Sequence, residues 1–268
     1  MLKFANAKIN IGLHIVSKRS DGYHDLETIF YPVKIYDAVE ILPSNKPELK
    51  IWNSDLVADD QNLCLKAFHL LSQEYNISPV QIHLLKNIPI GAGLGGGSSD
   101  ASAILELLND YFKLNISRDS LKEYASQLGA DCPFFIDNKT MYAEGTGTQL
   151  TEINLDLSKY KIVVIKPDIH ISTAEAYSKV SPMETEINLK EAIKLPIQEW
   201  KYLIKNDFEL SLFDKYPLIG DIKAKLYEKG AKYASMSGSG SSVFGIFDNI
   251  TGLEDLNKYG KVYLPTEL

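Results

Sequence analysis

Near the start of the chain, apolar residues fall at every second position. Ile9, Ile11, Leu13 and Ile15 do so, and so do Val33, Ile35, Val39 and Ile41, with Asp37 intervening. A period of two marks a strand that buries one face, so residues 3–42 predict strands and a hairpin. The rhythm then turns helical. Leu63, Ala67, Phe68 and Leu71 share one face of a helix over 61–75, with Asp59 or Asp60 as its cap. Gln81–Leu85 reads as a short strand with Ile82 and Leu84 on one face. Ala101, Ile104, Leu105, Leu108, Tyr111 and Phe112 mark the next helix, capped by Ser98 or Ser99, with Asp100 in its first turn. A further helix spans 117–128 and stops at Gly129.

The second half is read in the same way. Gly145-Thr146-Gly147 marks a turn, and Ile162–Ile165 a buried strand. Helices over 173–179, 197–212 and 217–228 precede strands over 233–237 and 243–248. The mixture predicts an α+β protein with antiparallel sheets. The best boundary lies at 154–160, giving domains 1–156 and 157–268.

Between the strand at 81–85 and its following helix stand five glycines in seven residues: Gly91, Gly93, Gly95, Gly96 and Gly97. Glycine permits positive φ and close approach of a ligand to the backbone. A helix start adds unpaired N–H groups and the positive end of a dipole. The combination predicts an anion site, most simply for nucleotide phosphates. The Walker A pattern is excluded, because the segment ends Gly-Gly-Ser-Ser without a lysine. Gly91, Gly93 and Gly96 match G-x-G-x-x-G formally. The strand and acidic residue that a dinucleotide fold requires downstream are replaced by helix.

Composition narrows the classes further. The chain has 268 residues, 45% hydrophobic and 24% charged, the profile of an ordinary globular protein with ample core. No apolar run is long enough for a membrane span, and the first twenty residues lack a signal peptide's apolar block. The net charge of −7, without a basic run, argues against nucleic acid as a partner. Cys64 and Cys132 suggest reduced thiols in a cytoplasmic protein, and the histidines lack metal-ligand spacing.

Two polar groupings stand out. If Ile9, Ile11, Leu13 and Ile15 face the core, then Lys8, Asn10, Gly12 and His14 share the opposite face. That face either lines a polar cleft or is simply solvated. Asp131 lies between a helix stop and Pro133. With Pro133 opening a helix, Cys132 is its cap and Asp131 lies just outside. Such an acid is either structural or chemical.

Pro89-Ile90-Gly91-Ala92-Gly93-Leu94-Gly95-Gly96-Gly97-Ser98-Ser99 resembles the ATP-binding signature of the GHMP kinase superfamily, which includes galactokinase, homoserine kinase and mevalonate kinase. Ala7–His14, Arg19–Thr28, Gly129–Phe135 and Ser237–Ser242 resemble further motifs in order. Ala7–His14, Arg19–Thr28 and Gly129–Phe135 are similar to the branch that phosphorylates 4-diphosphocytidyl-2-C-methyl-D-erythritol, and Ser237–Ser242 resembles the superfamily's third motif. The Gly-Glu-His-x-Asp motif of galactokinases is absent. The resemblance implies an N-terminal domain like ribosomal protein S5 domain 2 and a C-terminal ferredoxin-like domain.

It also implies residue roles. ATP is bound by Pro89 to Ser99, with Ser98 and Ser99 near phosphate or metal, and with Asn62 and Lys86 near the adenine. Mg2+ is held by the phosphates rather than by a protein cage. Asp131 is the general base toward the acceptor hydroxyl, kept ionised by Lys8, which also orients that hydroxyl. Asn10 contacts the acceptor, and Tyr23 and His24 read the cytosine edge. Phe30 and Tyr177 hold its faces, and Gly238 and Ser239 belong to a second loop closing on the acceptor. Alternatives are another small-molecule kinase of the superfamily or a catalytically silent nucleotide-binding protein.

Overall fold

The structure is a computed structural model that describes residues 1–180, 182 and 187–267. Two long strands open it, β1 (Leu2–Lys18) and β2 (His24–Pro43), paired with each other. Then come β3 (Glu48–Trp52), α1 (Leu63–Glu74), β4 (Val80–Leu85), α2 (Gly96–Phe112), α3 (Arg118–Leu128) and α4 (Cys132–Asp137). A hairpin follows, β5 (Met141–Glu144) and β6 (Gln149–Glu152), and then β7 (Lys161–Lys166). The rest runs α5 (Thr173–Ser178), α6 (Leu189–Ala192), α7 (Trp200–Leu203), α8 (Phe208–Lys215), α9 (Pro217–Glu228), β8 (Tyr233–Met236), β9 (Val243–Phe247) and β10 (Lys261–Tyr263). Among the described residues, no helix is long and apolar enough to cross a membrane.

The chain forms two compact units that interleave in sequence. The first comprises Met1–Ala7, Ile35–Ile90 and Gly95–Lys139, and the second Lys8–Lys34, Gly91–Leu94 and Thr140–Leu268.

In the first unit, the later part of β2 pairs antiparallel with β4, placing Val39 opposite Leu84 and Ile41 opposite Ile82. β3 pairs with β4 in parallel, which the expectation of antiparallel sheets missed. The reason is the crossover: α1 lies between β3 and β4 and returns the chain to the same end. The apolar face of this sheet packs with Phe68 and Leu71 of α1 and Ile104, Leu105 and Leu108 of α2. Two expected caps are corrected. α1 is capped by Asn62, whose side chain accepts from Cys64 N at 2.9 Å, rather than by Asp59 or Asp60. α2 starts from Gly95, which is left-handed at φ +69°, so Ser98 and Ser99 lie inside its first turn.

In the second unit, the early part of β2 pairs with β5, and β5 with β6 around the turn at Gly145–Gly147. A separate antiparallel sheet has the order β10-β7-β9-β8. Helices separate β7 from β8, and a 3-10 helix, Glu254–Tyr259, separates β9 from β10. That order and those connections are ferredoxin-like. The helix expected over 197–212 is broken. A 3-10 turn and α7 give way to an extended stretch, and α8 begins only at Phe208. The backbone of Leu13 bonds Lys205 O and Asp207 N, each at 2.9 Å, so strand pairing with β1 displaces the helix there.

β1 buries both of its faces. Ile9, Ile11 and Ile15 are fully enclosed, yet Lys8, Asn10 and His14 are also buried. The solvated-face reading is therefore wrong.

Candidate active site

The glycine segment is anchored at both ends in the first unit. Its last part opens α2, where Ser99 N bonds Gly95 O at 2.9 Å. No side chain caps this helix start. The first amides of a helix have no partner within it, so this end is suited to an anion. Gly96 and Gly97 are glycines for different reasons. A Cβ on Gly96 would lie 2.8 Å from Ile88 Cγ2. A Cβ on Gly97 would meet only Leu63 Cδ1, at 4.0 Å, and Gly97 is exposed. Packing does not require glycine at 97, and a helical glycine costs about 1 kcal/mol relative to alanine.

Beneath this turn sits a buried charge cluster. Lys86 Nζ donates to Asp37 and, at 2.7 Å, to Asp100. Asp37 also accepts from the amides of Asn87 and Ile88. Burial raises the Asp100 carboxyl to about 7, with Lys86 opposing that shift. Burial works against the Lys86 ammonium, but the two carboxylates outweigh it and raise its pKa. The side chains of both residues expected near adenine are thus engaged within the protein, Lys86 in this cluster and Asn62 as the cap of α1.

Asp131 stands at the N-cap position of α4, one residue earlier in the motif than the expected cap, Cys132. Its carboxylate makes no capping hydrogen bond to α4. Cys132 is fully buried, and burial pushes its thiol up to about 11 against a hydrogen bond from Ser98. Such a thiol is a poor nucleophile at neutral pH. Ser102 Oγ donates to Ser98 O and Cys132 O at 2.9 and 2.8 Å, tying α2 to α4.

The second unit assembles the polar face of β1. Lys8 Nζ donates to Asn10 Oδ1 at 2.7 Å and lies 4.6 Å from the centre of the Phe30 ring. Asn10 Nδ2 donates to Thr28 Oγ1 at 3.0 Å, and Thr28 donates to Gly12 O. The loop from Ser237 to Ser242 joins this network. Ser237 Oγ accepts from Asn10 N at 3.2 Å and donates to Gly93 O at 2.8 Å. Lys8 N bonds Leu94 O at 2.9 Å, and Ser242 N bonds Ala92 O at 3.3 Å. Gly93 must be glycine, because its φ is +74° and a Cβ would sit 1.9 Å from Ser237 O. Gly238 is tight but less so: a Cβ there would be 3.3 Å from Asn10 Oδ1.

The aromatic residues divide into two contacts. His24 stacks on Tyr177, with centroids 4.9 Å apart and planes at 27°. Phe30 is 3% exposed, with Lys8 over its face. Tyr23 is 67% exposed in the turn before β2. Ser239 is half-buried at the tip of its loop.

Sequence reasoning passed over several residues that shape these groupings. Asp37 carried a signal, since an acid in an apolar strand series requires buried partners. Thr28 closes the Arg19–Thr28 motif, but a threonine in a strand carries no signal of its own. Asn206 carried none, because it sat inside an expected helix. It is 1% exposed, and its Nδ2 donates to Met236 O and Gly238 O at 2.9 and 2.8 Å, holding both sides of Ser237. Glu209 accepts from Met236 N at 2.8 Å and from Ser235 Oγ at 3.0 Å.

Residues 62–139 match a family model described as GHMP kinases N terminal domain, and residues 189–262 one described as GHMP kinases C terminal. A protein of Bacteroides thetaiotaomicron named 4-diphosphocytidyl-2-C-methyl-D-erythritol kinase is 52% identical over 253 residues, 92% of each chain. A protein of Parabacteroides distasonis with the same name is 50% identical over 265 residues, 98% of each chain. A crystal structure of 4-(cytidine 5'-diphospho)-2C-methyl-D-erythritol kinase matches with a TM-score of 0.85 at 29% identity, covering 98% of both chains. A mevalonate kinase structure matches at 0.73 with 16% identity over 98% of this chain and 97% of its own, a likeness of fold.

Proposed function

We propose a reaction for this chain, which belongs to the GHMP kinase family. It transfers the γ-phosphoryl group of ATP to the 2-hydroxyl of 4-diphosphocytidyl-2-C-methyl-D-erythritol, in non-mevalonate isoprenoid precursor biosynthesis. The observation that carries the nucleotide half is the uncapped start of α2 with its exposed, unconstrained Gly97. The names of relatives at about half identity carry the acceptor half.

Residues 89–99 bind ATP in this reading, chiefly through backbone amides. Phosphoryl transfer asks a protein for positioning and charge neutralisation more than for covalent chemistry. Mg2+, bound through the nucleotide phosphates, supplies part of that neutralisation. Asp131 accepts the proton of the acceptor hydroxyl as the new O–P bond forms and the bond to ADP breaks. Lys8 is assigned to the same step as the cation that favours the alkoxide-like oxygen. Asn10, Tyr23, His24, Phe30, Tyr177, Gly238 and Ser239 are assigned to the acceptor. Residues 1–156 are proposed as the part of the chain that carries the ATP-binding motifs and 157–268 as its C-terminal part. A cytoplasmic location is proposed too, supported by two free, buried cysteines.

An acceptor screen with ATP tests the reaction. The cytidylated compound should be phosphorylated, while free methylerythritol, mevalonate and homoserine should not. Phe30→Ala should raise the acceptor KM about ten- to hundredfold, the effect of losing one base–aromatic stack. Equal turnover of the uncytidylated alcohols would remove the base-recognition reading and leave a GHMP kinase of another specificity.

A further inference from the structure

The glycine segment begins and ends on one buried ammonium. Lys86 precedes it and Asp100 follows Ser99, and their side chains meet at 2.7 Å with the two residues 4% and 2% exposed. Asp37, fully buried in the middle of β2, takes the same ammonium on one carboxylate oxygen. Its other oxygen takes the amides of Asn87 and Ile88. One acid therefore holds the first residues of the segment, and the lysine joins that acid to the helix that ends it. The ammonium lies directly under the start of α2, 3.4 Å from where a Gly96 Cβ would be. Ile88, fixed by Asp37, fills the rest of that space.

Three buried charges are an expensive way to fill a core, since apolar side chains of similar size often stabilise as well or better. What charges provide is directional geometry, because each partner is held to a narrow set of positions. A phosphate site requires such geometry, with its donors preorganised before the ligand arrives.

We propose that Asp37, Lys86 and Asp100 are positioning residues for nucleotide binding. They lock the two ends of the glycine segment together and hold the first amides of α2 in place. Lys86 then acts on ATP through its two carboxylates rather than by touching the nucleotide. The proposal rests on the ATP reading of the glycine segment.

The test is a double-mutant cycle read as the Kd of Mg·ATP by calorimetry, without acceptor, well below each variant's unfolding temperature. Lys86→Met and Asp100→Asn should each weaken binding about tenfold or more. The double variant should be no weaker than Lys86→Met alone, because both changes break the same unit. The acceptor KM should stay within about twofold of wild type, a split that general loosening of the fold would not produce. Multiplicative losses in the double variant would show Lys86 contacting ATP independently and overturn the proposal. Unchanged Kd in the folded single variants would overturn it too, leaving the cluster merely structural. If Lys86→Met does not fold, the same cycle is read with Asp37→Asn and Asp100→Asn, which preserve size and shape. Failure of the wild-type protein to bind Mg·ATP would overturn the nucleotide reading itself, an outcome distinct from either of these.

Discussion

Asp131 and Cys132 are neighbours with opposite chemical prospects. The thiol is enclosed and held in its protonated form by burial, while the carboxylate stands half-buried at the start of α4 without capping it. Proton transfer to a positioned carboxylate contributes about 10²–10⁴ in rate. Asp131→Asn should therefore cut turnover by that factor and leave Mg·ATP affinity near wild type. Rate and affinity are measured on the same folded preparation, and near-normal turnover would remove Asp131 as base. Lys8→Ala should slow the same step. The double variant should then lose less than the product of the two singles, as groups acting as a unit do.

At the scale of one element, the start of α2 separates structural glycine from functional glycine. Gly95 is left-handed, so alanine there is strained by about 1–2 kcal/mol. Gly96→Ala drives a methyl into Ile88. Gly97→Ala meets no such obstacle and should gain up to about 1 kcal/mol of helix propensity. It should thus melt no lower than wild type yet bind ATP more weakly, and normal affinity in this variant would mean that phosphate does not lie against this turn. The same helix carries a pH signature. The Asp100 carboxyl is raised above its ordinary 3.8 to about 7, by burial first and then by the charge of Asp37. The folded state therefore holds a proton that the unfolded chain has released. That contribution is full below pH 3.8 and is lost as pH rises through about 7. Asp100→Asn imitates the protonated form, so its Tm should improve relative to wild type between pH 5 and pH 8. A Tm difference that stays constant across that range would contradict this linkage.

For the whole molecule, interleaving of the two units decides how the chain can be divided. The core of the second unit joins Leu13, Ile15 and Leu26 from β1 and β2 to Val163, Phe208, Leu226 and Phe247 from the C-terminal half. A fragment of residues 157–268 lacks the first three, and a fragment of residues 1–156 lacks their partners. Neither should unfold cooperatively when expressed alone, whereas the full chain should show a sharp thermal transition. Calorimetry on the two fragments checks this, and a sharp endotherm from either would show that its core suffices by itself.

Local pattern determined much by itself. Alternation in β1 and β2, helical rhythm in α2 and α3, and a glycine run at a helix start depend on neighbours a few residues apart. A chain records such neighbours directly in its sequence. The glycine segment was legible for the same reason. The Asp37–Lys86–Asp100 cluster was not, although its three members lie in plain view, because its bonds span 49 and 14 positions. The pairing of β2 with β4 and the packing of α2 bring them together. The solvated reading of the Lys8, Asn10 and His14 face failed because period two shows that a strand has two faces, not whether both are covered. The helix expected over 197–212 failed because the backbone of Leu13, nearly two hundred residues away in sequence, claims Lys205 and Asp207. Propensity within a segment is worth a few tenths of a kcal/mol per residue, and hydrogen bonds to a distant strand outweigh it once the fold supplies that strand.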